Sequence, residues 1–316
     1  MTARPRSIIA PLVLGAALTV TACGSNDPAG SSGEGPSVLA AFYPLAFVAE
    51  HVAGDHATVE NLTQPGVESH DLELTGRQVG MVADSDLVLY LRGFQPSVDA
   101  AVEQNAADTA VDVAELVELL PADAGEHADD DEHAQESDDH GDLAGDPHIW
   151  LDPTNMAALA ESVAQELGDL DPDNRQAYES NAADLVGQLE ALDQDFADGL
   201  AQCERSVFVV SHEAFGYLAH RYDLEQVGIA GLDPDSEPSP NRVAEVQDIV
   251  ERKGITTIFY ESLVSPTVAE TLADDLGVET AVLDPIEGLS DDTADEDYLS
   301  LMTANLEALR TANGCA

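Results

Sequence analysis

Residues 38–63 read VLAAFYPLAFVAEHVAGDHATVENLT, in which a helical pattern stands between two short apolar runs. Short apolar runs bounded by turn or polar residues predict strands, and the pattern between them predicts a helix. The same order continues to residue 92. The predicted strands are Val38–Tyr43, Ala57–Thr63 and Leu87–Arg92, and the predicted helices are Pro44–Ala53 and Thr75–Asp84.

The second half of the chain repeats this alternation between residues 206 and 312. Strands and helices in strict turn are typical of parallel sheets. The fold class that we predict is therefore α/β, with two parallel-sheet (β/α) lobes. The further strands lie near Val207–Ser211, Gln226–Ile229, Thr256–Tyr260 and Ala281–Leu283, and the further helices near Pro240–Lys253, Pro266–Leu276 and Asp295–Arg310.

A different pattern runs between the two lobes. Asp171 suits a helix N-cap, and Pro172 suits the first helical position. We predict a linking helix over 171–203, roughly 45 Å long, between an N-terminal lobe at 38–170 and a C-terminal lobe at 204–316. The larger apolar residues recur on one face of this helix; they are Tyr178, Leu185, Leu189, Leu192, Phe196 and Leu200.

The composition excludes some classes of protein. The 316 residues include 62 Asp and Glu against 11 Lys and Arg, which gives a formal charge of −51. General nucleic-acid binding needs many cationic side chains to neutralise phosphates, so this balance argues against it. The hydrophobic fraction of 44% is sufficient for packed cores and argues against a wholly disordered chain.

The N-terminus predicts export and anchoring. Arg4 and Arg6 precede an apolar run at residues 8–20, which has the length of a signal-peptide core and is short for a membrane span. The run ends in Val20-Thr-Ala-Cys23, which resembles a bacterial lipobox. We therefore predict a lipoprotein signal peptide at 1–22, a lipidated Cys23, a flexible tether at 23–37 and an extracytoplasmic location on the membrane.

Two cysteines remain in the exported chain, Cys203 and Cys315. In an oxidising compartment they could pair and tie the C-terminus to the start of the second lobe. Spacing alone does not establish the pairing, and two free thiols are the alternative.

A low-complexity insert occupies residues 122–146. It contains eleven acidic residues and three histidines, His127, His133 and His140. This composition does not support a packed structure. The insert is either an inert solvated loop or an arm that collects metal ions weakly.

Three other histidines stand in distinctive places. His70 and His212 follow predicted strands, one in each lobe, and His148 precedes the single Trp150. Ligands of open parallel sheets collect at the carboxyl ends of strands, and three converging imidazoles would suit Zn²⁺. A carboxylate after the last strand, either Asp284 or Glu287, could be the fourth ligand. The alternative is that these histidines are scattered structural residues.

Several motifs together resemble the cluster A-I substrate-binding proteins of zinc ABC importers. The resemblance covers about Val38 to Arg310. Its motifs are Phe42-Tyr-Pro-Leu45, Gly54-Asp55, the loop from Pro65-Gly66 to His70, Asp146-Pro-His-Ile-Trp-Leu-Asp-Pro153, Ser211-His-Glu-Ala-Phe-Gly-Tyr217, Glu237-Pro-Ser239, Phe259-Tyr-Glu261 and Leu283-Asp-Pro285.

The resemblance implies zinc ligands at His70, His148 and His212. Among the family members that this chain resembles, some use the Asp equivalent to Asp284 as the fourth ligand and others have a Glu equivalent to Glu287. The resemblance therefore leaves the fourth ligand open. Ser69 stands where the family usually has Pro, which we expect to loosen the loop before His70. The charged insert is similar to the loop that zinc-specific members carry at this place.

The function implied by the resemblance is capture of Zn²⁺ in a cleft between the lobes and its delivery, by a monomer, to an ABC permease and its ATPase. Manganese and iron relatives carry a carboxylate at the position of His212, and some relatives are surface adhesins; both are alternatives. Since imidazoles must be neutral to bind metal, affinity should fall below about pH 6.5. The resemblance therefore implies that zinc is transported cargo.

A metallohydrolase is the alternative from another class of protein, because catalytic zinc also uses three protein ligands. Gly216 occupies the place of the second histidine in an H-E-x-x-H motif that begins at His212, so the zincin pattern is absent. We therefore predict that the protein is not an enzyme.

Overall fold

A computed structural model of the protein describes residues 35–122 and 145–316. The predicted signal peptide, Cys23 and the three histidines of the insert lie outside these ranges. All described residues belong to one compact unit. Among the helices of this described part, none is both long and apolar enough to cross a membrane.

The N-terminal lobe is built on a parallel four-stranded sheet in the order β2-β1-β3-β4. The predicted strands and helices are present, with an additional α3 and β4. The strands are β1 Ser37–Ala40, β2 Thr58–Asn61, β3 Leu87–Tyr90 and β4 Ala110–Asp112, and the helices are α1 Tyr43–Ala53, α2 Gly76–Asp84 and α3 Pro96–Asn105.

The C-terminal lobe repeats this topology in the order β6-β5-β7-β8, again with parallel pairs only among its described strands. The predicted two-lobe α/β fold is confirmed. The strands are β5 Val207–Val210, β6 Glu225–Gly228, β7 Thr257–Tyr260 and β8 Glu279–Val282, and the helices are α6 Gly216–Arg221, α7 Pro240–Lys253, α8 Thr267–Leu276 and α9 Tyr298–Asn313.

Two helices connect the lobes. Helix α4, Pro153–Leu170, packs along helix α5, Arg175–Leu200. The 26 residues of α5 span about 39 Å, and the six apolar residues predicted for its inner face are buried.

The predicted start of this linking helix was wrong. Asp171 ends α4 instead of capping α5, because its carboxylate accepts hydrogen bonds from the side-chain amide of Asn174 and the hydroxyl of Tyr178. The chain therefore turns at Pro172 before α5 begins. The exact domain boundaries stay a prediction.

The two lobes share one hydrophobic core. Buried residues from the N-terminal lobe, α4, α5 and the inner side of the second sheet form a continuous cluster, while a smaller cluster lies on the other side of that sheet. Trp150 is fully buried and its indole N–H donates to the carbonyl of Pro285 at 2.6 Å. The Tyr298 hydroxyl in turn donates to the carbonyl of Trp150 at 2.5 Å, which fixes one lobe against the other.

A disulfide joins Cys203 and Cys315 across a separation of 112 residues. It connects the segment after α5 to the C-terminus. Next to it, the Arg205 guanidinium donates to the carbonyl of Ala312 at 2.8 Å. The two ends of the C-terminal lobe are therefore held together covalently and by hydrogen bonds.

Removing this disulfide with the double substitution Cys203→Ser and Cys315→Ser should lower the free energy of unfolding by about 4–5 kcal/mol, because a long closed loop restricts the unfolded chain. Urea unfolding of the two proteins measures the difference. A reductant should shift the midpoint of the native protein and leave that of the double variant unchanged. Equal midpoints for both oxidised proteins would contradict this expectation.

Candidate metal centre

Four side chains from four different segments meet between the lobes: His70, His148, His212 and Glu287. His70 lies in the loop between β2 and α2, and His148 directly precedes a 3₁₀ turn at Ile149–Leu151. His212 stands two residues after β5, and Glu287 stands in the loop after β8. Loops at the carboxyl ends of strands from both sheets thus supply three of the four residues, as expected for parallel sheets.

Four distances between donor atoms match edges of a zinc tetrahedron, and all the donor atoms lie within 4.8 Å of one another. Glu287 Oε1 lies 3.4 Å from His70 Nε2, 3.6 Å from His148 Nε2 and 3.5 Å from His212 Nε2. The Nε2 atoms of His148 and His212 are 3.3 Å apart. Four ligands at 2.0–2.1 Å from a central zinc would be separated by about 3.4 Å. One small dication could therefore contact all four donors.

The group is almost completely enclosed. His148 and His212 are 0% exposed and Glu287 is 3% exposed, whereas the His70 side chain retains 14% of its accessible surface. Solvent therefore reaches the group on the side of His70.

Each of the two buried histidines is oriented by a carboxylate behind it. His148 Nδ1 donates to Asp146 Oδ1 at 2.7 Å, and His212 Nδ1 donates to Glu261 Oε1 at 2.6 Å. A proton held on Nδ1 leaves the lone pair of Nε2 directed into the group. Such carboxylate–histidine pairs are typical of protein metal sites.

Sequence reasoning gave no role to Asp146 and Glu261. Both stand within quoted motifs, Asp146 two residues before His148 and Glu261 directly after β7. The position of Glu261 at a strand end was a usable signal, whereas its pairing with His212 depends on the neighbouring strands β5 and β7.

Electrostatics couple the buried groups strongly. Burial by itself lowers the pKa of His212, but the charge of Glu261 and the hydrogen bond to it act more strongly in sum and raise this pKa to about 10. The pKa of His148 is likewise raised: burial lowers it, but the interactions with Asp146 and Glu287 together act more strongly. Burial would raise the pKa of Glu287, yet hydrogen bonds from the three histidines hold it well below its usual value.

Asp284 lies outside the group of four, although the sequence offered it as a ligand equally with Glu287. Its Oδ1 accepts a hydrogen bond from the Ile286 amide at 2.7 Å, and its Oδ2 accepts one from the Ser262 hydroxyl. Both oxygens therefore have partners away from the histidines. Of the two candidate carboxylates, the structure brings Glu287 to the imidazoles.

Ser69, which stands where the family usually has Pro, is buried and hydrogen-bonded on both sides. It is 0% exposed, and its hydroxyl donates to the carbonyl of Glu287 at 3.0 Å. Its own carbonyl accepts from the Gln95 side chain at 2.9 Å. The His70 loop is therefore hydrogen-bonded to both lobes.

Known proteins are similar to this chain in sequence and in fold. Residues 38–312 match the family described as zinc-uptake complex component A periplasmic (ZnuA). The zinc-binding lipoprotein AdcA of Streptococcus pneumoniae is 36% identical over 280 residues, which cover 87% of this chain and 55% of AdcA. The chain thus spans about half the length of that relative.

The high-affinity zinc uptake system protein ZnuA of Bacillus subtilis is 32% identical, with 93% of each chain covered. The crystal structure of the Zn(II)-bound ZnuA-like domain of AdcA from Streptococcus pneumoniae superposes with a TM-score of 0.73 at 32% identity, covering 88% of this chain and 99% of that one. The protein described here belongs to the ZnuA family of periplasmic zinc-uptake components.

Proposed function

We propose that the protein captures one Zn²⁺ between its lobes and delivers it to the permease of an ABC importer. The observation that carries this proposal is the group formed by His70, His148, His212 and Glu287, in which four donor–donor contacts of 3.3–3.6 Å match edges of a zinc tetrahedron. Family membership and the zinc-bound relatives support the same cargo.

The donor set favours zinc over manganese or iron. Three imidazole nitrogens and one carboxylate suit Zn²⁺, whereas manganese prefers sites richer in oxygen. His212 occupies the position at which the manganese and iron relatives are expected to carry a carboxylate. The nearby carboxylate of Glu261 accepts a hydrogen bond from Nδ1 of His212, so it contacts the ring nitrogen that is not directed at the other ligands.

The site is suited to holding an ion and poorly suited to hydrolysis. Catalytic zinc keeps a coordination position open for water, whereas zinc in a closed site has four protein ligands. Here four protein donors surround one point, and three of them are buried. We infer that the ion is bound and released without conversion of a substrate.

The remaining parts of the proposal concern delivery. Zinc reaches and leaves the site on the side of His70, the most exposed member of the group. We propose that lipidated Cys23 and the tether hold the protein, as a monomer, at the outer face of the membrane, where the permease takes the ion and the ATPase supplies the energy. The histidines of the insert would collect zinc ions weakly.

Zinc titration of alanine variants tests the proposal. His70→Ala, His148→Ala and His212→Ala should each weaken one-to-one zinc binding by more than the roughly 10–100-fold typical of losing an outer hydrogen-bond partner, because each removes a direct ligand. His220→Ala is the matched control, since His220 is exposed and lies outside the group. Competition with a chelator of known affinity measures the constants. A full-strength site in all three variants would refute the proposal.

The carboxylates behind the histidines should also matter. Asp146→Asn and Glu261→Gln should each weaken zinc binding by about 10–100-fold, because the neutral amides orient and polarise the imidazoles less well. The exposed Glu251 provides the control Glu251→Gln, which should bind like the native protein. Native affinity in both test variants would show that these carboxylates do not support the site.

Zinc affinity should depend on pH over a wider range than the sequence suggested. Protons compete with zinc for the imidazoles, and the pKa values of His148 and His212 are raised in the metal-free protein. Affinity should therefore rise with pH from about 6.5, the ordinary imidazole pKa, up to about pH 10, the raised pKa of His212. Calorimetry in buffers of different ionisation heats should detect proton release on binding. A smaller release from Glu261→Gln is expected, and a pH-independent affinity would contradict this account.

A further inference from the structure

The loop that carries Glu287 contains an unusual backbone conformation. Ile286, the residue directly before it, has a φ of 59° and is 0% exposed. A β-branched residue in the left-handed region is a genuine outlier. Such conformations persist when the surrounding structure imposes them, and they concentrate at functional sites.

The Asp284 side chain is hydrogen-bonded to the backbone of Ile286 from within the loop. Its Oδ1 accepts the hydrogen bond of the Ile286 amide at 2.7 Å, so the carboxylate spans the residue between them. Its Oδ2 accepts from the Ser262 hydroxyl at the end of β7. The carboxylate is thus fixed at both oxygens and stabilises the turn that leads into Glu287.

The backbone of Asp284 is fixed as well. Its amide donates to Asn305 Oδ1 at 2.8 Å, and its carbonyl accepts from Asn305 Nδ2 at 2.6 Å. Asn305 is a buried residue of α9, 2% exposed. Asp284 is therefore anchored to the body of the C-terminal lobe and can transmit that rigidity to the loop.

The first lobe holds the other side of the loop. Trp150 donates to the carbonyl of Pro285 at 2.6 Å and Ser69 donates to the carbonyl of Glu287 at 3.0 Å. Asp284 on one side and these two donors on the other hold the backbone from Asp284 to Glu287. From this backbone the Glu287 side chain places Oε1 at 3.4–3.6 Å from three imidazole nitrogens.

We propose that Asp284 is a positioning residue for the metal centre: by holding Ile286 in the left-handed conformation, it aims Glu287 at the three histidines before zinc arrives. This inference rests on the proposed zinc site. A ligand that is already in place avoids the entropy cost of ordering a flexible glutamate on binding. The sequence offers both carboxylates as the fourth metal ligand. In this proposal Glu287 is the ligand and Asp284 holds it in position.

The substitution Asp284→Asn separates support from ligation. Asparagine keeps an Oδ1 that accepts from the Ile286 amide, and its amide group can donate to the Ser262 hydroxyl, but it is a poor zinc ligand. Positioning therefore predicts that Asp284→Asn binds zinc within about threefold of the native protein, whereas Asp284→Ala loses about 10–100-fold. The nearby exposed Asp291 provides the control Asp291→Ala, which should bind like the native protein.

Cobalt substitution gives a readout that mere destabilisation would not change. The visible absorption of bound Co²⁺ reports its coordination. Asp284→Asn should retain the native Co²⁺ spectrum, and Asp284→Ala should shift towards the spectrum of Glu287→Gln, because Glu287 is no longer held. If Asp284→Ala does not fold, Ser262→Ala replaces it, since this change removes one partner of Asp284 at the edge of the loop; it should weaken zinc binding several-fold.

Two results would overturn the inference while leaving the zinc site intact. One is a loss in Asp284→Asn as large as that in Glu287→Gln, which would make Asp284 a ligand. The other is native affinity together with a native Co²⁺ spectrum in Asp284→Ala. If Asp284→Ala does not fold, native affinity in Ser262→Ala is the equivalent result. Failure of the native protein to bind one zinc would instead overturn the proposed function, and this inference with it.

Discussion

The contact of one buried carboxylate with three imidazoles is the constraint on which the rest of the structure depends. Burying a charge is costly unless it is paired and hydrogen-bonded. Glu287, which is 3% exposed, meets this requirement because His70, His148 and His212 all lie within 3.6 Å of Oε1. These four groups come from four different segments, which the fold must bring together.

Two sheets of identical strand order provide the framework. The orders β2-β1-β3-β4 and β6-β5-β7-β8 direct the carboxyl ends of both sheets into loops that can meet. The shared core and the hydrogen bond from Trp150 to Pro285 prevent the lobes from separating freely. Such packing is consistent with capture that depends on small loop movements near the exposed edge of His70.

Sequence predicted the parts of this arrangement that local patterns determine. The predicted helix Pro240–Lys253 has the same bounds in the structure, because a serine cap, Pro at the first turn and a left-handed Gly254 delimit it locally. Helix α4 was missed, although Met156, Leu159, Val163 and Leu167 repeat at helical intervals. Sequence could not choose between Asp284 and Glu287, because that choice depends on contacts between distant parts of the chain. Trp150 bonds to Pro285, 135 residues away, and Ser69 bonds to Glu287, 218 residues away.

A crystal structure of the zinc-loaded protein with anomalous data at the zinc absorption edge tests the central claim most directly. The account predicts one strong anomalous peak at about 2.0–2.1 Å from His70 Nε2, His148 Nε2, His212 Nε2 and a Glu287 carboxylate oxygen. A peak bound elsewhere, for example at the exposed acidic group of Glu68, Asp71 and Asp235, with none among the three imidazoles, would contradict it.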